Sequence, residues 1–447
     1  MTPSRRKPDT DRRSLLKRLA GGAAAASVPL GVGGIVQVAG AADRAAGPKD
    51  LKIVMDGHVH VTTRAYWEDV DLWKPQPAAT GWNFAQARAG GVNCIIENLG
   101  TYTYWNYNYT PKHMLRLIEN FHRLLEANID KMGLALSVQD ARRIVASGRM
   151  AVFLSVESGW DHEGDVDVLR AFYRLGLRSI QFSTQTEFNN LADSALTTVP
   201  GATHWNGLSP NGRIIVAEMN RLGMVIDIVH ATPTVQTALI ETSKAPVVAS
   251  HVTAAAVSGA GGLSDEVIKG LAAKGGLVGI HGASAIMGKR YRAWVAANPD
   301  KMASVSAPFN KLVFSRPSLD HTPDSDNWGS YIEKFDAQTR TNWREVFKPF
   351  QDHPEAVPLV PTADEWAEQV DYVIKLVGAD HVGIGLDMFG GRSGVLRDPS
   401  GYPDLLKALN RVTTPANVKK IAGENWLRVL GDIFSLKDKT RPAHPRV

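Results

Sequence analysis

A parallel (β/α)8 barrel, an α/β fold of the TIM-barrel type, is predicted by three observations. Near-continuous apolar runs of strand length alternate with stretches of helical spacing, the strand-like runs number eight, and glycines close several of the helices between them. A chain of 447 residues with 44% hydrophobic residues has room for one such barrel. A Gly-rich phosphate fingerprint after the first strand would favour a dinucleotide-binding sheet, and none is there.

The elements follow in order. Residues 51–56 form the first strand. Helix 84–89 leads through Gly90-Gly91 into strand 92–99. Residues 112–127 place Met114, Leu115, Ile118, Phe121, Leu124 and Leu125 at helical spacing. Helix 141–147 precedes strand 150–156, and helix 166–175 precedes strand 178–183. Gly223 closes helix 214–222 before strand 224–229. Helix 233–242 leads to strand 246–250, and helix 265–273 passes through Gly275-Gly276 to strand 277–280. Helix 363–377 and strand 381–386 complete the count. Residues 285–362 interrupt this rhythm with many Pro, Asp, Asn, Trp and Phe residues and no clear strand. An insertion after the seventh strand lies at the C-terminal mouth of a barrel, as a lid or a subunit contact in a homodimer.

The formal net charge of +5 raises nucleic acid or an anionic membrane as partner. The charge is local. Residues 1–41 hold Arg5, Arg6, Lys7, Arg12, Arg13, Lys17 and Arg18 against Asp9 and Asp11, so the rest of the chain is formally neutral. That removes the compositional support for a nucleic-acid partner. A small-residue apolar stretch follows, ending in Val38-Ala39-Gly40-Ala41, an A-x-A cleavage pattern. Arg12-Arg13-Ser14-Leu15-Leu16-Lys17 resembles a twin-arginine export motif. The expectation is a signal at 1–41, one mature domain at 42–447, a periplasmic or secreted location, and no permanent membrane span once the signal is removed. Cys94 is the single cysteine, in an apolar strand; it reads as a buried, inert thiol.

Barrel enzymes carry their chemistry at the C-terminal ends of the strands. Here those ends read Asp56-Gly57-His58-Val59-His60, Val156-Glu157, Val229-His230, Ser250-His251, Ile280-His281 and Leu386-Asp387. His58 and His60 are two apart, so on a strand they share a face. With Glu157, His230 and His251 they make five nitrogen or oxygen ligands, more than one tetrahedral zinc takes. Two divalent ions, zinc or a similar first-row metal, accommodate all five, with Glu157 as the bridge. Asp387 is then placed to hold the bridging water and shuttle its proton. His281 is a substrate contact or a supporting residue. His162 and His204 follow strands and could face the site, whereas His381 starts a strand and lies at the wrong end.

The ordered motifs Asp56-Gly57-His58, Val156-Glu157-Ser158-Gly159, Gly207-Leu208-Ser209-Pro210-Asn211-Gly212, Ile226-Asp227-Ile228-Val229-His230, Ala249-Ser250-His251, Gly383-Ile384-Gly385-Leu386-Asp387 and Gly423-Glu424-Asn425-Trp426 are similar to those of the membrane dipeptidase family of zinc barrels. The resemblance implies a metal-dependent hydrolase of dipeptides. It implies metal ligands at His58, Glu157, His230 and His251 and a catalytic aspartate at Asp387. Three departures bear on substrate. His60 stands where the family has an aspartate, Ser183-Thr184-Gln185-Thr186 has no substrate-contacting histidine, and Ser258-Gly259-Ala260-Gly261-Gly262 lacks the arginine that grips a dipeptide carboxylate. The leading expectation is an exported binuclear hydrolase cleaving an amide of a dipeptide or related small substrate. The alternatives are lactone or ester hydrolysis or decarboxylation on the same metals, and a non-catalytic binding protein.

Overall fold

The computed structural model describes residues 51–68, 70–75, 82–100, 110–157, 162–183, 191–193, 205–259, 261–301, 358–388 and 394–437. The predicted export segment lies outside these residues. So does most of the 285–362 insertion, of which the described part includes the helix Lys289–Ala297.

Nine strands are described: β1 (Met55–Val59), β2 (Cys94–Leu99), β3 (Met132–Leu134), β4 (Met150–Val156), β5 (Leu177–Gln181), β6 (Val225–Asp227), β7 (Val248–Val252), β8 (Leu277–Ile280) and β9 (Val382–Ile384). Their pairings are all parallel. Eight close a ring in the order β1-β2-β4-β5-β6-β7-β8-β9, with β9 returning to β1. These eight are the predicted strands, and the barrel is the predicted fold. The ninth, β3, was not predicted. It lies against the first half of β4, from Met132 opposite Met150 to Leu134 opposite Val152, and β5 takes over that edge from Leu154 onward.

The helices start where side-chain oxygens can hold their first free N–H groups. Ser137, Asp165, Ser209, Thr232, Ser264 and Thr362 each accept from the first turn that follows them. Two predicted helices begin earlier for this reason. Ser209 and Pro210 start one at 210 rather than 214, and Ser137 starts another at 138 rather than 141. Past β9 the chain adds the helices Tyr402–Val412, Pro415–Lys419 and Asn425–Ser435, beyond the last predicted element. No described helix is long and apolar enough to cross a membrane.

Alternate strand residues divide between two apolar layers. Ile95, Val152, Leu154, Ala249 and Val278 pack under the surrounding helices. Met55, Cys94, Ile96, Phe153, Val225, Val248 and Leu277 instead share a cluster with Trp426, which fills the barrel's lower interior. Glycines make room for that indole. A Cβ on Gly57 would lie 2.0 Å from the Trp426 ring, one on Gly383 2.6 Å and one on Gly279 3.2 Å away. The Trp426 indole N–H donates to the Ile384 carbonyl at 2.9 Å.

Candidate metal centre

Above Trp426 the interior turns polar. In β1 one extra residue enters the ladder, since Asp56 pairs with Ile95 while Val59 pairs with Glu97. The simple alternation expected of His58 and His60 is therefore corrected: β1 stops at Val59, and a bulge rather than an undisturbed pleat brings both rings to the site. A second bulge falls in β7 between Ala249 and Val252, around Ser250 and His251.

The structure brings together every predicted metal ligand. The two carboxylate oxygens of Glu157 face different histidine pairs. Oε2 is 2.9 Å from His60 Nε2 and 3.4 Å from His58 Nε2. Oε1 is 2.9 Å from His230 Nε2 and 3.6 Å from His251 Nε2. Two ligand triads result, His58–His60–Glu157 and Glu157–His230–His251, each with its ligand atoms within 4.8 Å of one another.

The donor set fits divalent cations. His60 Nδ1 lies 3.0 Å from the Asn98 carbonyl, to which it can only donate, so in the neutral ring the lone pair is on Nε2. His58 and His60 bring Nε2 within 3.0 Å of Nε2, and His230 and His251 do so at 3.3 Å. Facing lone pairs at these distances repel unless a proton or a cation stands with them. Asp387 Oδ1, 3.3 Å from His60 Nε2 and 3.7 Å from His58 Nε2, is buried and makes no well-formed hydrogen bond among the described residues. Imidazole and carboxylate donors in this number suit zinc or a similar ion.

The electrostatics agree. Burial disfavours a charge on His60, but Glu157 and Asp387 outweigh it and push the imidazolium pKa up to about 10. Burial likewise opposes the charges of Glu157 and Asp387, yet the surrounding imidazoles hold both well below the usual carboxylate range. The pocket thus holds anionic carboxylates against whatever positive charge occupies it.

Two residues of this site adopt backbone conformations that non-glycine residues rarely take. His230 has φ 61° and Asp387 φ 49°. Such positions persist where surrounding structure enforces them, and they cluster at functional sites. Asp387 is held by its own N–H, which donates to the His58 carbonyl at 3.2 Å.

His281 is buried and differs from the ligands. Its Nδ1 accepts from the Ala283 N–H at 3.0 Å, which leaves the proton on Nε2. That Nε2 points at Asp387 Oδ2, 3.4 Å away. The geometry makes it a donor towards the aspartate rather than a metal ligand.

The remaining histidines divide clearly. His162 is buried, its ring nitrogens find no hydrogen-bond partner among the described residues, its pKa is lowered to about 4 by burial, and it joins neither triad. His381 Nδ1 donates to the Gly276 carbonyl at 2.8 Å, at the far end of the barrel. His204 lies outside the described residues. Cys94 is free and buried in the lower interior, and burial pushes its thiol pKa up, as expected of an inert thiol.

The sequence reading missed Asn98, Asp227, Ser250 and Asp56 as supports of the site. Asp56 Oδ1 accepts from the N–H groups of His58 and Leu386, both at 3.1 Å, and its Oδ2 accepts from Tyr402, so one carboxylate ties β1 to the strand bearing Asp387. Its place two residues before His58, at the end of an apolar run, was the one available signal.

An all-parallel barrel with histidine and carboxylate ligands gathered at the strand C-termini is the architecture of a metal-dependent barrel hydrolase. The chain belongs to the membrane dipeptidase family, peptidase family M19, whose match runs over residues 49–443. It is thus a dipeptidase-like, metal-dependent hydrolase, as the motif resemblance implied. Dipeptidase tcpJ of Claviceps purpurea is 28% identical over 396 residues, covering 85% of this chain and 76% of that protein. Among solved structures, the probable dipeptidase PvdM from Pseudomonas aeruginosa is 22% identical with a TM-score of 0.67, over 87% of this chain and 97% of that one. A metallo peptidase from Rhodobacter sphaeroides, liganded with a phosphinate mimic of the dipeptide L-Ala-D-Ala, is 18% identical with a TM-score of 0.61, over 86% of this chain and 100% of that one. At these identities the structural likeness is one of fold.

Proposed function

We propose that this chain holds two divalent ions, zinc by its donor set, and hydrolyses the amide bond of a dipeptide or related small molecule outside the cytoplasm. The observation that carries the reading is Glu157, whose two oxygens serve two separate histidine pairs. When bound, the ions supply Lewis acidity, making water a nucleophile at neutral pH and polarising the scissile carbonyl. Asp387 takes the proton of the attacking water at Oδ1 and delivers it to the leaving nitrogen, so one water is consumed and a carboxylic acid and an amine are released. His281 Nε2 faces the other oxygen of Asp387 at 3.4 Å. The Asn98 carbonyl holds the His60 Nδ1–H and turns the Nε2 of that ring inward, and Ser250 Oγ sits between Nδ1 of His58 and Nδ1 of His251. His60 in place of an anionic ligand, and a Ser258–Gly262 loop without arginine, support a substrate whose carboxylate is not gripped as a classical dipeptide's is. The twin-arginine pattern at 1–41 supports the location.

Metal analysis and a substrate panel test this reading. The expected result is two zinc ions per chain and turnover of L,L or L,D dipeptides or their amide relatives. Turnover of lactones or esters with no amide cleaved would overturn the amidase assignment. A reporter fused to residues 1–41 should leave the cytoplasm, and Arg12→Lys with Arg13→Lys should retain it.

A further inference from the structure

His60 occupies a gap in the regular structure. β1 ends at Val59, and the helix Thr62–Glu68 begins two residues after His60. Strand bonds therefore do not fix this candidate ligand, and the first N–H groups of a helix have no acceptor within it. The grip comes from β2, a strand that carries no candidate ligand of its own. The Asn98 carbonyl takes the ring at Nδ1, 3.0 Å away. Beside it, the Glu97 carboxylate takes the backbone that follows the ring. Its Oε1 accepts from the N–H groups of Val61 at 3.0 Å and Thr62 at 2.6 Å, and its Oε2 accepts from the same Val61 N–H at 3.0 Å. One step further, the Thr63 hydroxyl accepts from the Gly100 N–H at 3.2 Å.

Glu97, Val61 and Thr62 are all buried. Taking a carboxylate out of water is costly unless its oxygens are hydrogen-bonded, and here backbone donors supply the bonds. An apolar side chain at 97 would avoid that cost but would deprive two buried N–H groups of their acceptor. Glu97 also stands opposite Val59, where the register of β1 slips. The carboxylate thus meets the chain where the ladder is irregular and the turn carrying His60 begins.

We propose that Glu97 is a positioning residue for one half of the metal centre. By holding the chain at Val61 and Thr62 it sets His60, so an ion on His58 and His60 depends on it and an ion on His230 and His251 does not. His251 is supported from its own strand instead, with Ser250 Oγ 2.8 Å from its Nδ1. This rests on the two-ion reading given above.

Zinc transfer from the full-length holoprotein to chelators of graded strength, read by atomic absorption, tests the assignment without reference to activity. Glu97→Ala should weaken one zinc by about 10–100-fold, the usual range for lost support behind a ligand, and leave the other as it is. Single-site backgrounds tell which one. In His251→Ala the remaining zinc should weaken by that full factor when Glu97→Ala is added, and in His60→Ala it should not change. Glu97→Gln keeps the shape but turns an oxygen facing Val61 into a donor. It should weaken the same zinc by about 10-fold, and it carries the test if Glu97→Ala does not fold. Equal weakening of both zinc ions would make Glu97 a support of the barrel at large and overturn the proposal. Unchanged transfer in the folded variants, or weakening in the His60→Ala background, would overturn it too. One zinc in wild type would overturn the two-ion reading instead. The proposal would then stand if Glu97→Ala weakened that zinc and lost its effect once His60→Ala was added, and would otherwise fall as well.

Discussion

The two ends of the barrel interior are built from the same strands to opposite rules. In the lower half Cys94, Phe153 and Val248 pack on Trp426, and glycines at 57, 279 and 383 yield space to the indole. A few residues further along the same strands stand His58, Glu157 and His251. The lower half is apolar and close-packed. The upper half carries two bulges, two left-handed residues and a buried Asp387 oxygen with no well-formed hydrogen bond among the described residues. Packing below secures the fold, and the strain and unpaired polarity above are tolerated because that packing surrounds them. Substitutions should separate accordingly, with the upper half governing turnover and the lower half governing stability.

The largest expected effect tests the upper half. Asp387→Asn keeps the shape and the tolerance for a left-handed backbone but cannot take a proton. Turnover should fall by about 10²–10⁴-fold, the usual worth of general acid–base catalysis, with zinc content and melting temperature unchanged. Loss of zinc in this variant would mean that Asp387 is a ligand rather than a shuttle.

Trp426→Ala is its counterpart below. The indole is fully buried and meets three strand glycines that cannot fill the gap. Denaturant unfolding should show a loss of about 3–5 kcal/mol, as for other large-to-small core changes. A loss under 1 kcal/mol would show that the floor does not carry the fold. Gly383→Ala should cost less, about 1–3 kcal/mol, because the added methyl would meet the Trp426 nitrogen at 2.6 Å and force repacking. If Gly383→Ala reduced kcat while stability held, the two ends would not be separable.

How far this division was legible in the sequence follows from the same contrast. The candidate ligands were visible because they are rare polar residues at the ends of apolar strands. The glycines were visible as residues, but their partner Trp426 lies 43 positions beyond Gly383 and no local pattern joins them. Strand limits shifted most at β1, expected at 51–56 and found at Met55–Val59, because the apolar run marks the buried approach while the ladder continues into Asp56-Gly57-His58. β3 escaped notice because three residues are too few to set a period. Ser250 and Asp227 carried no signal of their role: a serine before a strand histidine is unremarkable until the fold places a second histidine on its other side.

The smallest expected effect bears on the boundary between the halves. His281 is no ligand, since the Ala283 N–H occupies its Nδ1 and Nε2–H faces Asp387. Its removal should change zinc content and KM little, because its ring meets His251 only edge to face and its Nε2 faces Asp387. What changes is the aim of the Asp387 carboxylate, which loses the neighbour facing Oδ2 and keeps only its backbone and the imidazoles near Oδ1. His281→Ala should therefore lower kcat by about 10-fold, the low end for a support one residue removed from the chemistry. His281→Gln, whose amide N–H can reach towards the same oxygen, should recover part of that loss. If KM rises instead while kcat holds, His281 touches the substrate directly. The upper half would then extend one residue deeper into the rim than the orientation of its ring implies.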